Sequence, residues 1–155
     1  NVKELIEKLD MIPQEEGGLV MPNNYAEESS KRADSGHAYY YFKPQKPTLF
    51  HIIDCDEYWI YHAGSDLEVW EISPDGKLTI HRLGISDNSE MCIYVKKGNA
   101  TATRPINMSD EGTLASLVTV PRYSDDGLHL MSKEEVIKLC PEAKSFFSGD
   151  MGKTR

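Results

Sequence analysis

The sequence predicts a single mainly β domain, an antiparallel barrel or jelly roll with short helices at its two ends. Two observations predict this fold. Short strand-like segments follow one another at close spacing through the middle of the chain, and helical periodicity is confined to the two ends. A chain of 155 residues is long enough for one domain with a substantial core and too short for two ordinary domains. We assign residues 1–147 to this domain and expect residues 148–155 to form a flexible tail.

The N-terminal segment predicts a short amphipathic helix over residues 2–9. Its apolar residues recur at helical spacing and are Val2, Leu5, Ile6 and Leu9. Pro13 ends this region, and an edge strand is expected over residues 19–21. Residues 23–37 are polar and indicate an exposed loop, with a lid over a pocket as the alternative.

Eight further segments, rich in β-branched and aromatic residues, predict the strands of the barrel. They are residues 37–42, 48–53, 58–62, 67–72, 78–83, 92–95, 100–104 and 114–120. The sequence Ser-Pro-Asp-Gly at residues 73–76 is a strong hairpin signal. After the last strand, Ser132 and Glu135 fit a capping box, and Pro141 opens a final short helix.

Composition excludes several classes of protein. The formal net charge of −8 opposes binding to phosphate backbones, so no nucleic-acid partner is expected. The apolar runs are only a few residues long, which is too short for a bilayer span, so no membrane partner is expected. The three cysteines are widely spaced and form no CxxC motif. This pattern favours a reducing compartment, and we expect a cytoplasmic protein.

The strongest functional signal lies in residues 49–64. Here His51 precedes Glu57 by six residues, and Gly64 follows seven residues later. Apolar and aromatic residues fill the intervening positions. This spacing predicts two short strands around a polar corner, with a few polar side chains directed into an apolar interior. Such an arrangement suits a pocket, and His51 and Glu57 are the candidate catalytic residues.

Strand alternation extends the list of pocket candidates. If Glu57 faces inward, Trp59 and Tyr61 face inward as well, and His62 points away. Alternation places Tyr39 and Tyr41 on one face of their strand and Tyr40 on the other, without saying which face is inside. The candidate ligand-binding residues are Tyr39, Tyr41, Trp59, Tyr61, Thr101 and Thr103. For each of them, packing in the core is the alternative interpretation.

A series of short motifs in a fixed order resembles a known family. The motifs are Pro13 with Glu16-Gly17-Gly18, His51, Asp56-Glu57, Trp59, Ala63-Gly64, Leu67-Glu68, Pro74-Asp75-Gly76, Leu83-Gly84, Gly98 and Val118-Thr119-Val120-Pro121. Over roughly residues 2–147 the chain resembles small single-domain cupins that carry a domain of unknown function. The resemblance implies a cupin-type (RmlC-like) double-stranded β-helix or jelly-roll barrel. It also implies a homodimer formed by strand exchange or sheet packing.

The sequence departs from the metal-binding cupins that this family resembles. Ile53 stands where their first motif has its second histidine, and Thr101 stands where their second motif has a further one. A catalytic metal requires about three protein ligands and an open position, whereas His51 and Glu57 supply two. We therefore expect no metal and no other cofactor. A divalent metal completed by an unforeseen third ligand is the alternative.

The candidate site leaves three functions open. A carboxyl group in an apolar barrel has a raised pKa, and a neighbouring histidine exchanges protons near neutral pH. This pair suits a metal-independent isomerase or epimerase acting on a sugar- or carbonyl-type metabolite, and some metal-free cupins that the chain resembles are sugar-nucleotide epimerases. The second possibility is a non-catalytic ligand-binding or structural cupin, in which His51 and Glu57 form a buried pair. The third is a metal-dependent cupin enzyme.

Nucleophilic catalysis has little support in the sequence. No GxSxG motif occurs, and Cys55 lies between Asp54 and Asp56. The two neighbouring carboxylates are expected to raise the pKa of the Cys55 thiol and to lower its reactivity. Arg104 and Arg122 are basic residues that could grip a nucleotide phosphate, but neither lies in a recognisable phosphate motif.

Overall fold

A computed structural model of the chain describes residues 1–22, 32–106 and 111–148. The strands are β1 (Ile12–Pro13), β2 (Leu19–Pro22), β3 (Gly36–Phe42), β4 (His51–Ile52), β5 (Asp56–Gly64), β6 (Leu67–Ile72), β7 (Leu78–Leu83), β8 (Cys92–Val95), β9 (Ala100–Pro105), β10 (Thr113–Val120) and β11 (His129–Leu130). The α-helices are α1 (Val2–Leu9) and α2 (Lys133–Leu139). Two 3₁₀ helices span Asp125–Gly127 and Pro141–Phe147. Most of the expected lid and all of the expected tail except Ser148 lie outside the described residues.

The strands form two antiparallel sheets, as the sequence predicts for a jelly roll. The six-stranded sheet has the order β1-β2-β3-β10-β5-β8, and the five-stranded sheet has the order β11-β4-β9-β6-β7. The main core lies between the sheets and includes Phe42, Trp59, Val69, Leu83 and Val95. A second apolar cluster, on the outer face of the five-stranded sheet, includes Phe50, Trp70, Val136 and Phe146. The C-terminal helices therefore cover one sheet.

Both α-helices begin with a capping box. In α2 the Glu135 amide donates to Ser132 Oγ at 3.1 Å, and the Ser132 amide donates to Glu135 Oε2 at 2.7 Å. The predicted cap is therefore confirmed. In α1 the Asn1 side chain accepts from the Glu4 amide at 3.1 Å. These bonds satisfy amide groups that the first helical turn leaves without a partner in the helix itself. Within the described ranges, no helix combines the length and the apolar character that a membrane crossing requires.

Strand alternation on β5 is confirmed. Glu57, Trp59 and Tyr61 are buried, whereas Tyr58 and His62 are exposed. On β3 the buried side chains are Tyr40 and Phe42, so Tyr39 and Tyr41 lie on the opposite, outer face of the sheet. Alternation thus defines which face of β3 is inside once the packing of the sheets is known.

Two expectations about strands are wrong. The segment 48–53 forms a strand only at His51–Ile52, because the amides before it bond to different parts of the chain. The Thr48 amide donates to the Thr103 carbonyl at 3.0 Å, and the Leu49 amide donates to the Glu16 carbonyl at 2.8 Å. In addition, β2 is not an edge strand, since it pairs with both β1 and β3.

Candidate functional site

A cavity of about 370 Å³ opens between the two sheets. Its apolar wall includes Ile12, Val20, Ala38, Ile53 and Leu117. Its polar and aromatic lining includes Glu16, Tyr40, His51, Glu57, Thr119, Arg122 and Tyr123. A mostly apolar cleft with a few convergent polar groups is the usual form of a small-molecule site.

Glu57 is the buried acid of this cavity. It lies near the start of β5, between Val95 of β8 and Thr119 of β10, and it is only 3% exposed. Burial raises its pKa to about 8, and the Glu16 carboxylate acts in the same direction. The Trp59 indole N–H opposes this shift, although the buried Trp59 Nε1 reaches hydrogen-bonding geometry with no described acceptor. Glu57 is therefore mostly a neutral carboxylic acid at pH 7.

His51 supplies the complementary acceptor. Its Nδ1 lies 3.0 Å from the Leu49 carbonyl oxygen. A carbonyl oxygen can only accept, so Nδ1 carries the proton and Nε2 of the neutral ring carries a lone pair. His51 is 9% exposed and lines the cavity. The local hydrogen bond thus selects the tautomer in which Nε2 can act as a base.

Two tyrosines contribute hydroxyl groups to the cavity. The Tyr40 hydroxyl donates to the Gly17 carbonyl, whereas the Tyr123 hydroxyl is buried without a hydrogen-bond partner among the described residues. Burial is the main cause that raises the pKa of both phenols. Both therefore remain protonated at neutral pH. Asp125 adds to the shift at Tyr123 through a loose contact with the hydroxyl, and the hydroxyl oxygen can still accept a hydrogen bond from a ligand.

Backbone bonds hold the cavity rim in place. The Tyr123 amide donates to Thr119 Oγ1 at 3.0 Å, and the Arg122 amide donates to the Ala33 carbonyl at 3.0 Å. Arg32 donates to the Arg122 carbonyl and forms a bidentate ion pair with Asp54. These contacts fix the segment that follows β10, which carries both Arg122 and Tyr123.

Of the eight residues that the sequence suggests for the site, two line this cavity, namely His51 and Glu57. The other six lie elsewhere. Trp59 packs behind Glu57 in the core, and Tyr61 donates to the Gly64 carbonyl at 2.7 Å. Thr101 and Thr103 are buried at 1% exposure, and Thr103 contacts Thr48. Tyr39 and Tyr41 lie on the outer face of β3, where Tyr39 packs against His37 and His62.

Sequence reasoning did not propose several polar residues of the lining, among them Glu16, Tyr40 and Tyr123. It named Arg122 only as a residue that could grip a phosphate. Strand alternation could have identified Tyr40, because it lies on the face of β3 opposite to Tyr39 and Tyr41. Glu16 and Tyr123 belong to separate turns that approach each other only in the folded chain. No local pattern marks them, although Glu16 forms part of the family-like Glu-Gly-Gly turn.

The donor set does not fit a catalytic metal centre. Ile53 contributes a hydrocarbon side chain to the cavity, and Thr101 does not line it. In the part of the chain that the structure describes, no three His, Cys, Asp or Glu residues form a cluster that could hold a metal ion. A catalytic metal needs about three such ligands, whereas the cavity offers His51 and Glu57 at the family-like positions.

The cysteines do not supply a nucleophile to this cavity. Cys55 and Cys140 are buried, Cys92 is exposed, and all three are free. Burial raises the pKa of the Cys55 thiol to about 11, and the Asp54 and Glu57 carboxylates add to the shift while Arg32 opposes it. A thiol with this pKa is almost fully protonated at neutral pH and therefore unreactive.

The two-sheet jelly roll and its central pocket define a protein of the cupin class. Residues 3–131 match the family described as the Cupin superfamily (DUF985), and the chain belongs to this family. The predicted cupin fold and the family resemblance are thus confirmed. No curated protein matches the chain.

Similar solved structures agree with this assignment. A crystal structure of a Shewanella oneidensis protein shares 23% identity and covers 100% of this chain and 99% of its own, with a TM-score of 0.83. A hypothetical protein from Leishmania major shares 18% identity, covers 98% of each chain and has a TM-score of 0.80. Oxalate decarboxylase from Bacillus subtilis shares 16% identity over 94% of this chain and 38% of its own, with a TM-score of 0.61. At these identities the likeness shows a common fold.

Proposed function

We propose that the cavity binds a small carbonyl-bearing metabolite and that the protein is a metal-independent isomerase or epimerase. In this proposal His51 is the general base and Glu57 is the general acid. One observation carries it: a single cavity is lined by a protonated, buried carboxylic acid and by an imidazole whose Nε2 is a proton acceptor. Paired groups of this kind are the equipment for proton abstraction next to a carbonyl.

The proposed reaction moves two protons. His51 Nε2 takes the proton from the carbon next to the carbonyl, and the electron pair of that C–H bond forms a carbon–carbon double bond. The carbonyl π pair moves onto oxygen, which receives the proton of the Glu57 carboxylic acid. In an isomerisation, the His51 imidazolium then protonates the former carbonyl carbon, and the hydroxyl on the neighbouring carbon gives its proton to the Glu57 carboxylate. In an epimerisation, the enol turns in the cavity, His51 protonates the other face of the same carbon, and the enol hydroxyl returns its proton to Glu57. His51 and Glu57 end in their original states, so the cycle consumes no co-reactant.

The apolar wall supports this chemistry. It excludes water and lowers the local dielectric, which strengthens the hydrogen bond from Glu57 to a developing enolate oxygen. It also keeps Glu57 protonated near neutral pH. The Tyr123 hydroxyl offers a second donor at the same cavity.

The test is deuterium exchange followed by proton NMR. Glyceraldehyde, dihydroxyacetone, fructose and pyruvate are incubated with the protein in D₂O, and loss of the C–H signal next to the carbonyl is measured. We expect protein-dependent exchange with at least one compound. Removing either proton-transfer group should slow exchange about 100-fold or more, so Glu57→Gln and His51→Gln are the test variants. The exposed sites Glu134→Gln and His62→Gln, which line neither chamber of the cleft, serve as matched controls and should exchange at the wild-type rate.

The alternatives predict different outcomes. A non-catalytic ligand-binding cupin predicts no exchange with any probe, and that result would reject the enzymatic proposal. A metal-dependent enzyme predicts exchange that is abolished by chelators and restored by a divalent metal. The name oxalate decarboxylase attached to some neighbours belongs to proteins that share the fold at 16–18% identity, and the donor set found here does not favour metal chemistry of that kind.

We also propose that two copies of the chain associate through the outer face of the six-stranded sheet. Tyr58, Tyr94 and Val120 are exposed there at 44%, 46% and 42%, and the Tyr58 and Tyr94 rings lie 5.2 Å apart. These side chains adjoin β8, the edge strand of that sheet, so face and edge form one continuous surface. Sedimentation velocity should give a dimer for wild type and a monomer for Tyr58→Lys combined with Tyr94→Lys. Ile80→Lys, on the other sheet, is the matched control, and a monomeric wild type would reject the proposal.

A further inference from the structure

We propose that the ligand of this cavity carries a protonated amine, which the Glu16 carboxylate binds where two chambers of the cleft meet. This inference rests on the proposed function, because it specifies the ligand class for the same site. It makes the ligand an amino-carbonyl compound, and it excludes an anionic compound such as a sugar phosphate.

The cleft has two chambers. Besides the cavity that contains His51 and Glu57, an outer chamber of about 560 Å³ is present. Its lining is Pro13, Gln14, Glu15, Glu16, Tyr123, Asp125, Leu128, His129 and Leu130. Four of these residues, Gln14, Glu16, Tyr123 and Asp125, also line the inner cavity. Glu16 and Tyr123 therefore stand at the junction, within reach of a ligand that extends from one chamber into the other.

The charges at this junction are negative. Glu15, Glu16 and Asp125 contribute carboxylates to the two chambers. Among the described lining residues, Arg122 is the only lysine or arginine, and it lines the inner chamber alone. His129 is engaged by Glu135, whose Oε1 lies 3.3 Å from Nε2. The described groups thus leave an excess of negative charge, which attracts a cation and repels an anion.

Glu16 adds to the effect of burial, which is the main cause that raises the pKa of the inner polar groups. Its carboxylate is among the causes that raise the pKa of Tyr40, Glu57 and Tyr123. Arg122 is not among the groups that shift any of these three pKa values. Among the described residues no ion pair joins Arg122 to Glu16, so the guanidinium can bond to a carbonyl oxygen of the ligand.

The junction also contains polar atoms whose hydrogen bonds are unmade. Glu16 Oε2 and the Tyr123 hydroxyl are buried, and neither reaches hydrogen-bonding geometry with a described residue, although Asp125 lies close enough to the Tyr123 hydroxyl to raise its pKa. Glu57, at 3% exposure, lines the adjoining cavity without a well-formed hydrogen bond to any described side chain. Buried polar groups without partners are costly, which indicates that a ligand completes them.

An ammonium group fits these atoms best. It offers three donors and no acceptor, so it can bond to Glu16 Oε2 and to the Tyr123 oxygen at once. Its charge strengthens the bond to the carboxylate. A neutral hydroxyl supplies one donor without the charge, and a carboxylate would leave Glu16 Oε2 without a donor and add repulsion. The expected order of affinity is therefore amine, alcohol, carboxylate.

Three isosteric fluorinated fragments test this order. Binding of 4-fluorobenzylamine, 4-fluorobenzyl alcohol and 4-fluorobenzoate to the full chain is measured by ¹⁹F NMR at pH 7. We expect the amine to bind about tenfold more tightly than the alcohol, and the carboxylate to bind most weakly. Glu16→Gln should weaken amine binding about tenfold and leave alcohol binding within about twofold. Tyr123→Phe should weaken amine binding by a smaller factor.

Controls and contrary outcomes are well defined. Glu134→Gln removes the same charge at an exposed helical site and should keep the full preference for the amine. The inference is overturned if the carboxylate binds as tightly as the amine, if Glu16→Gln keeps the preference, or if the amine shows no binding at 10-mM-scale concentrations, about the weakest that ¹⁹F NMR detects for a fragment. Deuterium exchange that depends on His51 and Glu57 without any amine preference would refute this inference alone. Amine preference without exchange would refute the enzymatic proposal alone.

Discussion

Two glutamates approach the interior of the same barrel, and the fold treats them in opposite ways. Glu57 on β5 has no well-formed hydrogen bond to the residues that the structure describes, and burial raises its pKa to about 8. Glu71 on β6 accepts from His81 Nε2 at 2.8 Å and from Asn99 Nδ2 at 2.8 Å. Burial opposes ionisation at Glu71 too, but these two partners outweigh it and lower the pKa of this carboxyl.

The difference separates a structural carboxylate from a candidate catalytic one. The hydrogen bonds of Glu71 tie β6 to β7 and to the turn before β9, which stabilises that end of the five-stranded sheet. Glu57 adjoins a cavity and destabilises the fold whenever it ionises, because among the described groups only the loosely placed Trp59 N–H offsets the cost of the buried charge. A residue that costs stability and faces a pocket is a better candidate for function than one whose bonds are complete.

The largest expected effect follows from removing the Glu71 carboxylate, which accepts two hydrogen bonds. Glu71→Ala leaves the part-buried donors of His81 and Asn99 without an acceptor, and we expect the free energy of unfolding to fall by about 3 kcal/mol. Urea denaturation at pH 7 measures this change. Glu71→Gln keeps one acceptor and should lose about half as much. A loss below about 0.5 kcal/mol for Glu71→Ala would mean that the pair contributes little to the fold.

The sequence predicted the fold, and of the two glutamates compared above it predicted the inward orientation of Glu57. The strands over residues 67–72, 78–83 and 92–95 are confirmed at both ends, because a strong turn signal and a clear β-branched pattern bound them. Period-two alternation also placed Glu57, Trp59 and Tyr61 on the buried face of β5 correctly. These features depend on neighbours in the sequence, so local patterns reveal them.

The rest of the site depends on contacts between distant segments. Glu16 and Tyr123 are 107 residues apart in the chain and line the same chambers. The two-residue strand β1 is too short to give a pattern, and the orientation of Tyr40 follows from which face of β3 meets the other sheet. The partners of Glu71, namely His81 and Asn99, likewise meet it only through strand register. No local pattern in a single sequence predicts these contacts between distant segments.

The second prediction uses pH to measure how the Glu57 carboxyl group changes the free energy of unfolding. The pKa of Glu57 is raised in the folded protein, from an ordinary value of 4.5 to about 8. Its stabilising contribution is therefore fully present below pH 4.5 and is lost as the pH rises towards 8. Relative to wild type, Glu57→Gln should gain about 1 kcal/mol of unfolding free energy for each pH unit between pH 6 and 8.

Urea denaturation at several pH values measures the Glu57 effect. Glu134→Gln, at an exposed site, should keep a constant difference from wild type over the same range. If the curves for wild type and Glu57→Gln run parallel from pH 5 to 8, Glu57 is already ionised in the folded protein and the proposed acid role fails.

The third prediction concerns stability at acidic pH, where Glu71 contributes. Its dependence on pH is opposite in sign to that of Glu57. The pKa of Glu71 is lowered on folding, so its stabilising contribution is present above the unfolded value near 4.5 and is lost as the pH falls through the folded pKa. The stability difference between wild type and Glu71→Gln should therefore shrink by about 1 kcal/mol on acidification below pH 4.5. Thermal unfolding at pH 3.5, 4.5 and 6 follows this change, and a difference that stays constant would contradict the pairing.

The smallest expected effect tests the one group that favours ionisation of Glu57. Trp59→Phe removes the indole N–H that lowers the pKa of Glu57, so we expect that pKa to rise above its wild-type value. Stability should change by only about 1 kcal/mol, because the lost N–H has no well-formed bond and phenylalanine can keep the stacking on Phe42. A ¹³C NMR titration of the Glu57 carboxyl measures the pKa directly.

Trp70→Phe is the matched control for this change. The Trp70 indole N–H donates to Glu68 Oε1 at 2.9 Å, and its ring packs in the cluster under the C-terminal helices, away from the cavity. This variant removes the same group from the opposite side of the five-stranded sheet and should leave the pKa of Glu57 unchanged. If both variants shift it equally, the effect arises from general loosening of the barrel. A shift confined to Trp59→Phe would show that one N–H holds the Glu57 pKa near the neutral range that proton transfer requires.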